Sequence, residues 1–323
     1  MITSIVTGGA GFLGSHLVDA LAKRGESVVV LDNLTTGRLG NLERAISSGR
    51  VTFVYADVAV DRTSLRAIVA GSGTKKIDSI YHLASPASPS AHSAHPWETL
   101  AVNGLGTMSL IDIALEHRAR FIFSSTAEIY GDPLVHPQAE DYFGNVDPIG
   151  PRSCYDEGKR FGEAAVAAAV NKRSLDGRIV RFFNCYGPRM QTADGQLIPA
   201  FFEAAANRQP LPIQGTGEQT RSLTYVDDAI ELLLMVAEQQ QSSLQPINIG
   251  NDEEKSVMDI ARSLADVLRV DFIPEFIPGR PSGPLRRPDI ARARGLGWKP
   301  TTSLEDGLRL TFDWFSRESQ LFV

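Results

Sequence analysis

The sequence predicts an α/β protein: a doubly wound, mostly parallel sheet with a second, smaller lobe. Three observations predict it. The first forty residues alternate a β-branched run, a glycine-rich turn, an amphipathic stretch and a second β-branched run, which is the pattern of a βαβ unit. Further short apolar runs recur down the chain at intervals long enough for crossover helices. After residue 184, prolines and glycines break the chain into short pieces, the texture of a lobe built largely from loops.

Taken in order, Ile2–Thr7 reads as the first strand, Ser15–Arg24 as a helix and Ser27–Leu31 as the second strand. Val51–Tyr55, Ile77–Leu83, Phe121–Ser125, Arg178–Phe183 and Pro246–Ile249 are the further strand candidates. Pro96–His117 and Tyr155–Lys172 are long helical candidates suited to covering the sheet; the second carries the Ala-rich run Ala164–Ala169, which permits close helix packing and a dimer contact. Pro188, Pro199, Pro210, Pro212, Gly215 and Gly217 punctuate the next stretch, after which Tyr225–Glu238 is again helical and leads into Pro246–Ile249. The chain is therefore expected to return to the sheet before it ends, giving interleaved domains: residues 1–183 plus 222–250 for the sheet domain, and 184–221 plus 251–323 for the smaller substrate-binding lobe.

Composition narrows the function. Of 323 residues, 43% are hydrophobic and 22% charged, which excludes disorder and collagen-like repetition. The net charge of −6 argues against nucleic acid as a partner, and any bound anion must meet locally gathered cations. Two cysteines, Cys154 and Cys185, exclude a disulfide framework and a four-cysteine zinc site. No metal is expected, and the cysteine usage points to a reducing, cytoplasmic setting. No apolar run approaches the roughly 20 residues of a membrane span, and the chain starts on a strand and a Gly-rich loop where a signal peptide would show a basic start and an apolar stretch.

Thr7-Gly8-Gly9-Ala10-Gly11-Phe12-Leu13-Gly14 lies between a predicted strand and a predicted helix. Glycines at 8, 11 and 14 there allow a tight turn, close backbone approach to a pyrophosphate and close helix packing, with the phosphates at the helix N-terminus. Asp32 ends the second strand, where a carboxylate accepts hydrogen bonds from an adenosine ribose and repels a 2′-phosphate, so NAD is expected rather than NADP. Arg38 is read as a surface loop arginine. Asp57 and Val58, after the third strand, are placed to meet an adenine or simply to make a strand-end turn.

Tyr155-Asp156-Glu157-Gly158-Lys159 sets a phenol and an ammonium four residues apart, on one face of a helix. The lysine charge, with a nicotinamide cation, is expected to lower the tyrosine pKa toward that of a general base. Thr126, in Ser124-Ser125-Thr126 at the end of a strand, can hold a substrate hydroxyl while Tyr155 removes its proton.

At these residues the chain resembles the extended short-chain dehydrogenase/reductases that modify nucleotide sugars, a family with a Rossmann sheet. The similar stretches include Tyr81-His82-Leu83-Ala84-Ser85-Pro86-Ala87-Ser88-Pro89, Glu128-Ile129-Tyr130-Gly131-Asp132-Pro133, His136-Pro137-Gln138 and Pro148–Arg160, then Phe183-Asn184, Gly187-Pro188-Arg189-Met190, Gln219-Thr220-Arg221 and Arg287-Pro288-Asp289-Ile290. The Ala-Ser-Pro-Ala-Ser-Pro loop and the segment leading into Tyr155 are most similar to members that decarboxylate UDP-glucuronate. The resemblance implies oxidation at C4, loss of CO2 from the resulting β-keto acid, and return of the hydride to give UDP-xylose, on a UDP- or dTDP-linked substrate. It also implies catalytic roles for Glu128 and Arg221 beside Thr126, Tyr155 and Lys159, and further cofactor contacts at Phe12, Leu13, Asn33, Thr36, Gly37, Leu83, Ala84 and Ser85. For the substrate it implies contacts at Pro86, Ser88, Asn184, Arg189, Arg221 and Arg286, with Arg286 on the diphosphate. A homodimer is the family's assembly.

The chain departs from the family at two places. Ala127 stands where the family has a serine, so either the 4-keto pentose is released more readily or the serine's role is dispensable. His92 and Ala94 replace two tyrosines in the loop after Pro89; His92 is read as a solvated loop histidine. Arg189, Arg221, Arg286 and Arg287 are expected to gather at the anion site, whereas Arg280, Arg292 and Arg294 read as basic surface. The competing functions are a UDP-glucuronate 4-epimerase, which needs only Thr126, Tyr155 and Lys159, a dTDP-sugar 4,6-dehydratase, whose acid Ala127 cannot supply, and a non-catalytic NAD sensor.

Overall fold

A computed structural model describes residues 2–191, 195–240, 243–278 and 285–318. Its centre is a seven-stranded sheet. The strands are β1 (Thr3–Thr7), β2 (Ser27–Asp32), β3 (Val51–Tyr55), β4 (Ser79–His82), β5 (Arg120–Thr126), β6 (Asp176–Phe182) and Ser243–Ile249. In space they run Ser243–Ile249, β6, β5, β4, β1, β2, β3. Every neighbouring pair is parallel, where the sequence predicted a mostly parallel sheet. The apolar runs are buried throughout, with Ile5, Val6, Val28, Val30, Ile80, Phe121 and Ile122 at 0% exposure, as expected of strands covered on both faces. The order reverses between β1 and β4, so the crevice at the carboxyl ends of these strands is the natural ligand site.

The helices that shape this crevice follow from their packing. Phe12–Lys23 starts directly on the Gly-rich loop. Pro96–Ala101 continues through a π turn at Val102–Gly106 into Thr107–His117, so the predicted single helix carries one widened turn, a feature common beside functional sites. Within it Asn103 is fully buried and its amide donates to Ser85 Oγ at 2.9 Å and to the Thr99 carbonyl at 2.8 Å, tying the helix to the loop after β4. Ser153–Arg173 lies close on β5, because Gly162 has no Cβ to collide with the Phe123 ring. That close approach brings the helix's first turns over Ser124–Thr126.

Beyond Phe182 the chain forms shorter pairings: Cys185–Tyr186 with Thr224–Tyr225, Leu211–Gln214 with Pro274–Ile277, and Thr220–Arg221 antiparallel to Lys255–Ser256. The helix Val226–Ala237 packs on Phe12–Lys23, and the strand Ser243–Ile249 joins the edge of the main sheet beside β6. No described helix is long and apolar enough to cross a membrane.

Candidate active site

The Gly-rich loop builds the floor of one long cleft. Gly8 has φ +69°, and a Cβ there would sit 2.7 Å from the Ala84 backbone; a Cβ on Gly14 would collide with the Gly8 carbonyl oxygen. The helix Phe12–Lys23 begins at Gly11 without a side-chain cap, which leaves its first backbone N–H groups for an anion. Asp32, buried at the end of β2, accepts from Ala10 N at 2.9 Å and Leu34 N at 2.8 Å. Gly37 packs against that carboxylate, which a Cβ would meet at 2.9 Å. Phe12, Leu13, Asn33, Thr36, Asp57, Val58, Leu83, Ala84, Ser85, Pro86 and Ser88 line the cleft with Gly8, Gly11 and Gly14. Asp57 also closes the strand-end turn by accepting from Ala59 N at 2.8 Å. Two polar atoms along this cleft, Ser125 Oγ and Arg189 Nη1, are buried without a hydrogen-bond partner among the described residues. A cleft with a capless helix N-terminus, a ribose-facing carboxylate and unsatisfied donors fits a dinucleotide.

At the far end stand Tyr155, Lys159 and Thr126. Tyr155 and Lys159 are 6% and 2% exposed. Lys159 Nζ donates to the Ser124 carbonyl at 2.8 Å and lies 5.9 Å from the centre of the Tyr155 ring, while the Tyr155 hydroxyl meets the Thr126 side chain. The lowering of the phenol pKa was expected with the nicotinamide cation in place; the side chains by themselves act the other way. Burial pushes Tyr155 up to about 12, against the smaller downward pull of its Thr126 hydrogen bond, and burial also pushes Lys159 down to about 7. Both groups are drier than the spacing in sequence implied, and burial is the largest cause of each shift.

Beside Thr126 lies a charged group. Glu128 N donates to Thr126 Oγ1 at 3.2 Å, and the Glu128 carboxylate is ion-paired with Arg286 and, at 3.0 Å, with Arg152. Arg286 is 6% exposed, also donates to the Gly131 carbonyl at 3.1 Å, and is pushed by burial down to about 10. Its loop is pinned where Gln138 N donates to the Arg287 carbonyl at 2.8 Å and Arg287 N donates to Gln138 Oε1 at 2.9 Å. Asp156, next to Tyr155, is pushed up to about 6, chiefly by burial.

Each of the four arginines expected at one anion site meets a carboxylate or lines a cleft. Arg189 pairs with Asp19 at 2.6 Å on the rim of the dinucleotide cleft. Arg221 lines a separate small cleft with Leu223, Asn251, Glu253 and Lys255. Arg287 pairs with Glu254 at 3.8 Å. Arg286, the residue expected on the diphosphate, sits on Glu128. Asn184 is exposed just past β6, its carbonyl accepting from Thr224 N at 2.9 Å. Arg292 is no free surface charge: it lies 3.6 Å from the buried Glu140 and donates to the Pro246 carbonyl at 3.2 Å. Arg294 pairs with Asp252 at 2.9 Å, and Arg280 falls outside the described residues.

His92 overturns the expectation of a solvated loop residue. It is 3% exposed in a short helix, Pro89–Ala94, and its ring stacks on Tyr155. Ala127 is buried in an apolar cluster with Ile129, Tyr130 and Phe183. Sequence reasoning passed over Arg152 and Asp156 as site groups, although both lie in the segment running into Tyr155. It also passed over Met190, Gln191 and Gln196, which complete the cleft wall from the later chain.

The family model described as the NAD dependent epimerase/dehydratase family matches residues 4–250. UDP-glucuronic acid decarboxylase 1 of Danio rerio is 40% identical over 97% of this chain and 72% of its own length. UDP-glucuronic acid decarboxylase 1 of Arabidopsis thaliana is 42% identical over 97% of this chain and 70% of its own. Among solved structures, a point mutant of the UDP-glucuronic acid 4-epimerase of Bacillus cereus, in complex with UDP-4-deoxy-4-fluoro-glucuronic acid and NAD, superposes with a TM-score of 0.84 at 28% identity, over 98% of this chain and 99% of that one. With its parallel sheet, its glycine-lined cleft and its Thr126, Tyr155 and Lys159 group, the chain belongs to the NAD dependent epimerase/dehydratase family.

Proposed function

We propose that this chain is an NAD-dependent decarboxylase of UDP-glucuronate that yields UDP-xylose. The observation that carries the choice within the family is the identity to the two decarboxylases along nearly the whole chain, well above that to the glucuronic acid epimerase. Bound NAD supplies the hydride acceptor and later donor, together with the positive charge that the dry Tyr155 phenol needs in order to ionise.

Thr126 holds the sugar's C4 hydroxyl and Tyr155 takes its proton. The C4 ketone lies β to the C6 carboxylate, so CO2 leaves as its electrons flow into an enolate. Tyr155, now protonated, stabilises that enolate oxygen by hydrogen bonding. Arg152 and Arg286, converging on Glu128, hold this carboxylate beside Thr126 and supply the positive field that an acidic sugar needs in a net-acidic protein. Glu128, held as a carboxylate by its two arginines, accepts from and orients a water that protonates C5, a role the buried Ala127 methyl lacks the chemistry to share.

The protein is further proposed to be a homodimer. Trp97, Leu100, Leu105, Met108 and Phe161 are exposed on neighbouring helices, an apolar face suited to a second copy. A reducing, cytoplasmic setting is proposed on the two unpaired thiols, Cys154 and Cys185. The 4-epimerase reading keeps Thr126, Tyr155 and Lys159 and dispenses with CO2 loss. Mass spectrometry of the sugar nucleotide after incubation with NAD separates the two: loss of CO2 is expected, and an unchanged mass with inverted C4 would replace decarboxylation by epimerisation.

A further inference from the structure

We propose that His92 is a positioning residue for Tyr155: its ring, laid flat on the phenol, fixes the orientation that brings the hydroxyl to Thr126 and keeps water from that face. The proposal deepens the catalytic reading above and rests on it for its effect on turnover. Its geometry stands independently.

The two rings have centroids 5.4 Å apart and planes within 6°. Tyr155 lies in the first turn of its helix, where an unsupported phenol is free to swing. The backbone of His92 is anchored to the same turn, because Cys154 Sγ donates to the His92 carbonyl at 3.6 Å. The short helix carrying it starts with Pro89 and is capped by Ser88, whose hydroxyl accepts from Ala91 N at 3.3 Å. His92 is therefore held from both its own helix and the helix of Tyr155.

The ring acts through its face. Its Nδ1 is buried with no hydrogen-bond partner among the described residues, so that nitrogen is not what fastens the side chain. Burial and, secondarily, the Arg152 guanidinium hold the imidazole below its ordinary pKa. It is consequently neutral at pH 7. The charged or titratable groups facing it are Arg152, itself bound to Glu128 and Asp132, together with Cys154 and Tyr155. Since desolvation is the largest cause of the high Tyr155 pKa, uncovering the ring lets water in and makes the phenol easier to ionise, while the lost alignment slows proton transfer.

The test compares His92→Ala with His92→Phe, which keeps an aromatic face and discards the nitrogens. The first readout needs no sugar: ultraviolet difference titration of the Tyr155 phenolate in the NAD-bound protein, with the same trace from Tyr155→Phe subtracted. In His92→Ala the midpoint is expected to fall by about one pH unit, as expected for a phenol regaining water. The second readout is turnover, where His92→Ala is expected to lose roughly tenfold or more in kcat with little change in KM, the signature of misplaced catalytic geometry. His92→Phe is expected to restore both. Removing a buried unpartnered nitrogen is also expected to leave Tm unchanged or raised. If His92→Ala does not fold, His92→Leu, of similar bulk but unable to stack, takes its place. The proposal is overturned if the stack-less variant titrates and turns over as the wild type does, or if His92→Phe behaves like His92→Ala. Should the wild type not decarboxylate UDP-glucuronate, the functional reading fails, and the titration still decides the role of His92.

Discussion

Replacing Tyr155 with phenylalanine removes one oxygen and leaves the ring in its stack on His92. In stability the loss is small: a protein hydrogen bond contributes about 0.5–1.5 kcal/mol net, and each kcal/mol moves Tm by only about 1–2 °C in a chain of 323 residues. In catalysis it is large. A phenol raised from 10.0 to about 12 by burial has its phenolate disfavoured by roughly 3 kcal/mol, a cost that the bound cation and Lys159 offset during reaction. With that base removed, the roughly 10²–10⁴-fold contribution of general acid–base catalysis is forfeited. Steady-state release of CO2 from carboxyl-labelled UDP-glucuronate measures it. Tyr155→Phe is expected to lose about a thousandfold in kcat, to bind NAD as the wild type does, and to melt within a few degrees of it. Because the raised phenol ionises more as pH rises, wild-type kcat/KM is expected to climb with pH through the neutral range, and the variant's profile to be flat. A Tyr155→Phe enzyme retaining more than roughly a tenth of wild-type kcat, far outside the acid–base range, would refute the assignment of Tyr155 as the proton carrier.

Three further outcomes are expected. Gly8→Ala puts a Cβ 2.7 Å from the Ala84 backbone at φ +69°, costing about 1–2 kcal/mol for the left-handed backbone and about 1–3 kcal/mol for overpacking; calorimetry should show NAD binding weakened or lost, and undiminished affinity would contradict the cradle. His82 is fully buried between the Thr7 and Thr107 hydroxyls, and burial pushes it down to about 3 from 6.5. The unfolded chain therefore takes up this proton below pH 6.5 and the folded chain does not, so up to about 1.4 kcal/mol of stability per pH unit is lost as pH falls from 6.5 toward 3. Urea midpoints for wild type and His82→Gln over that window test it, and equal pH slopes would contradict it. Ala127→Ser adds a hydroxyl within an apolar cluster, and the ratio of UDP-xylose to 4-keto pentose is expected to stay as in the wild type; a marked fall in keto product would give that position a role in holding the intermediate.

Much of the architecture was legible because it is written in local periodicity. The β-branched runs and the Gly-rich turn specify a βαβ unit within forty residues, and Tyr155, Lys159 and Thr126 come from two short segments whose spacing carries their chemistry. The π turn at Val102–Gly106 was not legible, since it answers to packing of Asn103 on Ser85 and to the close approach of Gly106 to the Val58 carbonyl. The charged group at Glu128 was half legible: the residue stood out, but its pairing with Arg286 spans 158 positions and depends on the Gln138 and Arg287 exchange that sets the loop. His92 was misread for the same reason. A histidine after a Ser-Pro loop looks solvated until a six-residue helix folds it onto the phenol of Tyr155, 63 positions away. The dryness of Tyr155 was not legible, because spacing reports charge proximity and says nothing of burial.

The central claim is decarboxylation, and incubation of the purified protein with UDP-glucuronate and NAD tests it most directly, with the sugar nucleotide followed by mass spectrometry and proton NMR. Loss of the mass of CO2 and appearance of UDP-xylose, with no net consumption of NAD, is the expected result. A product of unchanged mass, or no product from a protein that binds NAD, would contradict it.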